Sequence, residues 1–135
     1  MPMKHVYQRG SRDCGVAVAA MVAGIPYEQV LDRWLGCFMV EGGIREIAMW
    51  RLLKDITQAD WMIESLQTPW PHVGSHVFED TPAAVVIVGE GYRHYVAVED
   101  CMVHDPVLPA GCCLWEYPKR SWRVQTVVCP SRTTG

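Results

Sequence analysis

The sequence predicts an α+β domain, N-terminal helices packed on a C-terminal antiparallel sheet, and three observations carry that expectation. The first half repeats its apolar residues at helical spacing. The second half changes to short apolar runs of strand length, each closed by turn residues. The 135 residues, half of them hydrophobic and a fifth charged, have the balance of one domain over residues 1–135 with one core.

The first helix is the small apolar run Gly15 to Gly24, entered through Asp13, a good N-cap residue, and left through Gly24 and Pro26. A helix apolar on all sides belongs at the centre of a fold. The second starts near Tyr27 and runs to Leu35 with Gly36 as its stop, burying Val30, Leu31, Trp34 and Leu35. After Glu41-Gly42-Gly43, a third from about Ile44 to Asp55 presents Met49, Leu52, Leu53 and Ile56. Pro69, Pro71, Gly74 and Pro82 then mark a long connection. Ala83 to Gly89 reads as a buried strand and Glu90-Gly91 as the start of a turn. His94 to Glu99, Met102 to Pro106, Cys112 to Tyr117 and Arg123 to Val128 read as further strands, and residues 130–135 as a loose tail.

A formal charge of −3 from 15 acids and 12 bases lacks the basic surplus of a general nucleic-acid binder, so no nucleic-acid partner is expected. The uncharged stretch Cys14 to Tyr27 is shorter than the roughly 20 residues that span a bilayer, so no membrane span is expected. The N-terminus has no apolar core followed by a small-residue cleavage site, which makes the cytoplasm the default compartment. Cys14, Cys37, Cys101, Cys112, Cys113 and Cys129 form no CxxC pair, and in that compartment they read as free thiols first.

Cys14 stands at the start of the apolar helix, where unpaired backbone N–H groups and the helix dipole favour an anion. A thiol so placed, given a histidine partner, falls from about 8.5 to roughly 3.5–7.5 and becomes a nucleophile. Gly15 beside it lets a substrate backbone approach. The hairpin His94 to Pro106 supplies the partner. With a two- or four-residue turn centred on Asp100-Cys101, Val98 faces Val103, Val96 faces Asp105, and His94 shares a face with Asp105, which can orient the imidazole. His104 projects from the opposite face, and one inserted residue would exchange the two. Gln8, six residues before Cys14, is the candidate donor to an oxyanion. The alternative for Cys14 is a small core residue at the start of a packed helix.

Gln8, then Asp13-Cys14-Gly15 opening an apolar helix, then His94-Tyr95-Val96 in a strand, then Asp105-Pro106, resembles the bacteriocin-processing cysteine peptidases, family 39 of the cysteine class, with a papain-like fold. The stretch Gln8 to Met21 is the most specific part, and Gly42 to Ile47 is similar to the family's region between nucleophile helix and sheet. The resemblance implies a Cys14 nucleophile, a His94 general base and acid, an Asp105 that orients the imidazole, and Gln8 in the oxyanion hole. It implies amide hydrolysis through an acyl-enzyme, on a peptide or protein substrate, with no metal or organic cofactor. Many relatives cut leader peptides after a double glycine at the front of an ABC transporter. The expectation here is a free-standing cytoplasmic peptidase, bacterial or phage-encoded, with Gly15, Trp70 and Tyr95 as substrate-binding residues.

Other readings stay open at this level. Cys101, His104, Cys112 and Cys113 are soft ligands within a short stretch, but adjacent cysteines rarely suit a tetrahedral zinc site. A disulfide from Cys112 or Cys113 to Cys129 or Cys37 has no sequence support. The same fold can bind a peptide without cutting it, and the same Cys-His-Asp set can deamidate a glutamine or cleave an isopeptide bond. Trp34, Trp50 and Trp115 read as core, and Trp70, between two prolines, as a groove wall. His5, His72 and His76 have no paired carboxylate in their context and rank below His94.

Overall fold

The computed structural model describes residues 3–7, 14–37, 46–69, 82–119 and 121–131. Helices α1 (Cys14–Ala23), α2 (Tyr27–Cys37) and α3 (Glu46–Thr57) precede strands β1 (Trp61–Pro69), β2 (Ala83–Gly89), β3 (Tyr92–Glu99), β4 (Met102–His104), β5 (Cys112–Cys113) and β6 (Arg123–Pro130). The strands form one sheet in the order β1-β6-β2-β3-β4-β5, with every pair antiparallel. This is the α+β layout read from the sequence.

Gly15 to Val22 of α1 are all buried, as a helix with no polar face must be. It lies on β3 and β2 with α2 and α3 beside it. Gly24, at φ +70°, turns the chain out of α1, and the Ile25 N–H donates back to the Ala20 carbonyl at 3.2 Å. The helix α2 continues through Gly36 to Cys37 instead of stopping at the glycine. A helical glycine costs only about 1 kcal/mol relative to alanine, too little to end a helix by itself. The helix α3 runs two residues past its expected end, to Thr57, and its Met49, Leu52 and Leu53 are fully buried.

The sheet has a core on each face. On the helix side, Ala84, Val86, Tyr95, Ala97 and Val128 pack against α1 and α3. On the other side, Val85, Ile87, Val96, Val98, Val103, Val124 and Val127 pack with Leu114 and Tyr117. A sheet buried on both faces explains the unbroken apolar run of β2.

Four details correct the sequence reading. The strand β1 is an edge strand that the sequence does not announce: Met62 and Leu66 face the second core, but Glu64 separates them and Ile63, Ser65 and Gln67 are exposed. The expected strand Cys112 to Tyr117 is only two residues long before the chain winds into a 3₁₀ turn, Leu114–Glu116, which leaves Trp115 70% exposed rather than in the core. Strand β4 ends at His104, before Pro106, where the chain enters a turn in which the Leu108 N–H donates to the Asp105 carbonyl at 2.9 Å and Pro106 has no N–H for a ladder. Strand β6 runs to Pro130, and the Ser131 N–H donates to the Asp60 carbonyl at 3.0 Å, so residues 130 and 131 belong to the fold. Among the described residues no single helix is long and apolar enough to cross a membrane.

Residues 3–7 are tied to the β3–β4 hairpin and the loop after it. The Met3 N–H donates to Glu99 Oε1 at 2.9 Å, His5 Nε2 donates to the Leu108 carbonyl at 2.7 Å, and His5 Nδ1 meets His104 Nδ1 at 3.1 Å.

Candidate active site

The hairpin that places the site turns through Asp100 and Cys101, both with positive φ (53° and 63°), the two-residue geometry whose twist matches paired strands. It pairs Glu99 with Met102, Val98 with Val103 and Ala97 with His104, the unbulged register read from the sequence. His94 and Asp105 therefore meet: His94 Nε2 donates to Asp105 Oδ1 at 2.6 Å. His104 leaves from the opposite face and stacks near His5, ring centroids 5.3 Å apart.

Cys14 begins α1, and the α1–β3 packing brings its thiol to the backbone of β3 at residues 94 and 95. There the sulfur hydrogen-bonds to the His94 imidazole and accepts from the backbone N–H groups of Tyr95 and Gly15. The histidine ring spends Nε2 on Asp105, so Nδ1 remains for Cys14. Three side chains distant in sequence form one chain of hydrogen bonds, sulfur to imidazole to carboxylate.

Each charge in that chain is set by its neighbours. Burial pushes the Cys14 thiol up, but the His94 hydrogen bond, the Tyr95 N–H and the imidazole's charge together hold it below the ordinary thiol value. Burial also opposes a charge on His94, yet the hydrogen bonds to Asp105 and Cys14 push it up to about 9. Burial disfavours the Asp105 anion, but His94, the Tyr117 hydroxyl and the Val107 N–H bring its carboxyl down to about 2. The combination pulls the thiol and the imidazole toward a thiolate–imidazolium pair, with Asp105 ionised behind it.

Asp105 is fully buried and has further contacts that no sequence pattern signals. Oδ1 also accepts the Val107 N–H at 3.0 Å; Oδ2 accepts the Tyr117 hydroxyl at 2.5 Å and faces Lys119 Nζ at 3.4 Å. Tyr117 ends the 3₁₀ turn and is itself fully buried in the second core. No local pattern signals these contacts, because they depend on where the chain goes after β5. Arg93, just before His94, forms an ion pair with Glu46 in the first turn of α3 and ties the site's strand to the helical layer.

Of the other residues singled out, Gln8, Asp13 and Trp70 lie outside the described residues, as do His72 and His76. Gly15 is buried in α1 and offers its N–H to Cys14. The Tyr95 side chain is not a groove wall: its ring is 6% exposed, inside the helix-side core, because residue 95 points to the opposite face from His94. Among the described residues its hydroxyl finds no hydrogen-bond partner, and its contribution toward Cys14 is the backbone N–H. Cys14, Cys112 and Cys113 are free thiols. Among the described residues no three His, Cys, Asp or Glu side chains gather around a point that would hold a metal ion.

No protein-family model matches the sequence, and no curated protein sequence matches it. The fold does have a solved counterpart: the peptidase domain of Streptococcus ComA, a bi-functional ABC transporter involved in a quorum-sensing pathway, superposes with a TM-score of 0.61. The match covers 96% of this chain and all of that domain at 17% sequence identity. At that identity the likeness establishes a peptidase-like fold.

Proposed function

We propose that the chain is a cysteine peptidase that hydrolyses a peptide bond through Cys14, His94 and Asp105. The observation that carries this reading is the continuous hydrogen-bonded chain from the Cys14 sulfur through His94 to a fully buried, ionised Asp105. A binding module needs no such arrangement.

The Cys14 thiolate attacks the substrate carbonyl carbon, and the carbonyl oxygen takes the charge as an alkoxide. The Tyr95 and Gly15 N–H groups, which already serve the sulfur's charge, and the Gln8 amide are the donors proposed for it. The alkoxide collapses to a thioester as the C–N bond breaks, and the imidazolium of His94 gives its proton to the leaving amine. Water then attacks the thioester carbon, His94 takes its proton, and the tetrahedral species expels Cys14 to release a carboxylic acid. Asp105 stays ionised throughout; it holds the imidazole in one tautomer and orientation.

The substrate proposed is a peptide with a double-glycine cleavage site, by likeness of sequence motif and fold. The test is incubation of the purified chain with such peptides and with glutamine-containing and isopeptide-linked controls, read by mass spectrometry. Cleavage after the double glycine that vanishes in Cys14→Ala supports the reading. Deamidation or isopeptide cleavage alone moves the activity to another amide, and tight peptide binding with no turnover favours the binding module.

A further inference from the structure

We propose that Tyr117 and Lys119 are positioning residues that draw charge away from the face of Asp105 that His94 sees, and so set the pH at which the imidazolium gives up its proton. The inference rests on the reading of Cys14, His94 and Asp105 as a peptidase site.

The two oxygens of Asp105 have different partners. Oδ1 serves His94 and the Val107 N–H, whereas Oδ2 serves Tyr117 and Lys119. A buried carboxylate with His94 as its main donor would direct nearly its whole charge at the imidazole and hold the proton there tightly. A general acid that must hand a proton to a leaving amine works best when its proton affinity lies near the working pH. A phenol and an ammonium on the far oxygen compete for the same negative charge and weaken its pull on His94. The phenol is fixed: Tyr117 is fully buried and belongs to the second core. The ammonium is looser, 30% exposed and set 5.5 Å from the Trp122 ring, so its share is screened by salt.

A role in stability alone makes a different forecast. Losing a structural hydrogen bond lowers the melting temperature but leaves the imidazolium's titration where it was. Losing a competing donor moves that titration to higher pH. Tyr117→Phe removes only the hydroxyl and keeps the ring; Lys119→Met removes the charge and keeps the stem.

The experiment is the rate of Cys14 alkylation by iodoacetamide from pH 4 to 11, read by peptide mass spectrometry, in the parent chain, Tyr117→Phe and Lys119→Met, with folding checked by circular dichroism. The alkaline step of the profile reports loss of the His94 proton. The expected result is an upward displacement of that step by about half a pH unit or more in Tyr117→Phe. In Lys119→Met the displacement has the same sign and is largest at low salt. An alkaline step that stays in place or moves down overturns the inference. Where Tyr117→Phe does not fold, Lys119→Met decides alone by the same two outcomes. A parent chain whose Cys14 labels as an ordinary thiol overturns both this inference and the peptidase reading; an activated parent with unmoved variants overturns this inference alone.

Discussion

Asp105 is an anion with no exposure to water, stable only because donors surround it: His94, the Val107 N–H, Tyr117 and Lys119. Replacing the carboxylate by an amide that has its own N–H group leaves His94 without a pure acceptor and lets its ring turn or change tautomer. Under the proposed function, Asp105→Asn is therefore expected to lower turnover by about 10² to 10⁴-fold with circular dichroism unchanged. Full activity in that variant would remove Asp105 from the mechanism. The same carboxylate makes a prediction about stability. Its folded value of about 2 lies below the ordinary 3.8, so between those values the unfolded chain binds a proton that the folded chain does not. Asp105 contributes stability that is complete above about pH 4 and lost as pH falls toward 2. Calorimetry should show the parent's melting temperature dropping across that window and a smaller drop in Asp105→Asn, whose amide does not titrate. Equal slopes would mean that other carboxylates govern acid unfolding.

At the scale of elements, Trp122, just before β6, lays its ring against Gly89 at the end of β2, where an added Cβ would come within 2.5 Å of it. Gly89→Ala must push the ring away or bend the strand, and overpacking of this kind costs about 1–3 kcal/mol. Gly24 is a different case: open space surrounds it, but its φ of +70° disfavours any side chain, so Gly24→Ala is expected to cost about 1 kcal/mol through backbone strain alone. Urea denaturation of the two variants checks both, and the Gly89 loss, unlike the Gly24 loss, should be relieved in part by Trp122→Ala. An equal loss with Trp122 present or absent would put the Gly89 effect in the backbone. These elements also show what was legible in the sequence. The apolar helix α1 and strand β2 declare themselves because burial on every side needs apolar residues on every side. The His94–Asp105 meeting was legible because a two-residue turn at Asp100-Cys101 leaves one register that pairs valine with valine. The edge strand β1 was not, since an edge needs few apolar residues and its Met62 and Leu66 flank a glutamate. Trp115 misled because a tryptophan in an apolar run reads as core, whereas the chain has already left the sheet for a 3₁₀ turn there. Tyr117 and Lys119 were invisible as partners of Asp105, because local sequence does not record contacts made through the path of the chain after β5.

Across the whole molecule, the candidate site lies where separate parts of the chain converge: α1 supplies Cys14, β3 supplies His94, and the segment after β4 supplies Asp105. The N-terminal residues 3–7, which lead in sequence to Gln8 and Cys14, are held to the same hairpin through His5, His104 and Glu99. The facing Nδ1 atoms of His5 and His104, 3.1 Å apart, need one proton between them, and a second turns the contact into repulsion. Burial and then the nearby His5 hold His104 below the ordinary histidine value, so the folded chain resists a proton that the unfolded chain accepts. A histidine with a lowered folded value contributes stability that is present above about pH 6.5 and lost as pH falls through the folded value. His94 has the opposite sign: its contribution, lost as pH rises from 6.5 through about 9, is already complete below 6.5. Asp105 begins to lose its own only below about pH 4. The interval from pH 6.5 to 5 therefore isolates the His5–His104 contact from the charges of the candidate site. Over that interval the parent's melting temperature should fall, and in His104→Gln, which cannot take up the proton, it should fall less. Nuclear magnetic resonance adds the residue-level check: the His104 ring should titrate below the ordinary range in the parent and move back toward it in His5→Ala. A melting temperature flat from pH 6.5 to 5 in the parent, or a His104 titration unmoved by His5→Ala, would show that the tie between the N-terminal segment and the hairpin does not depend on pH.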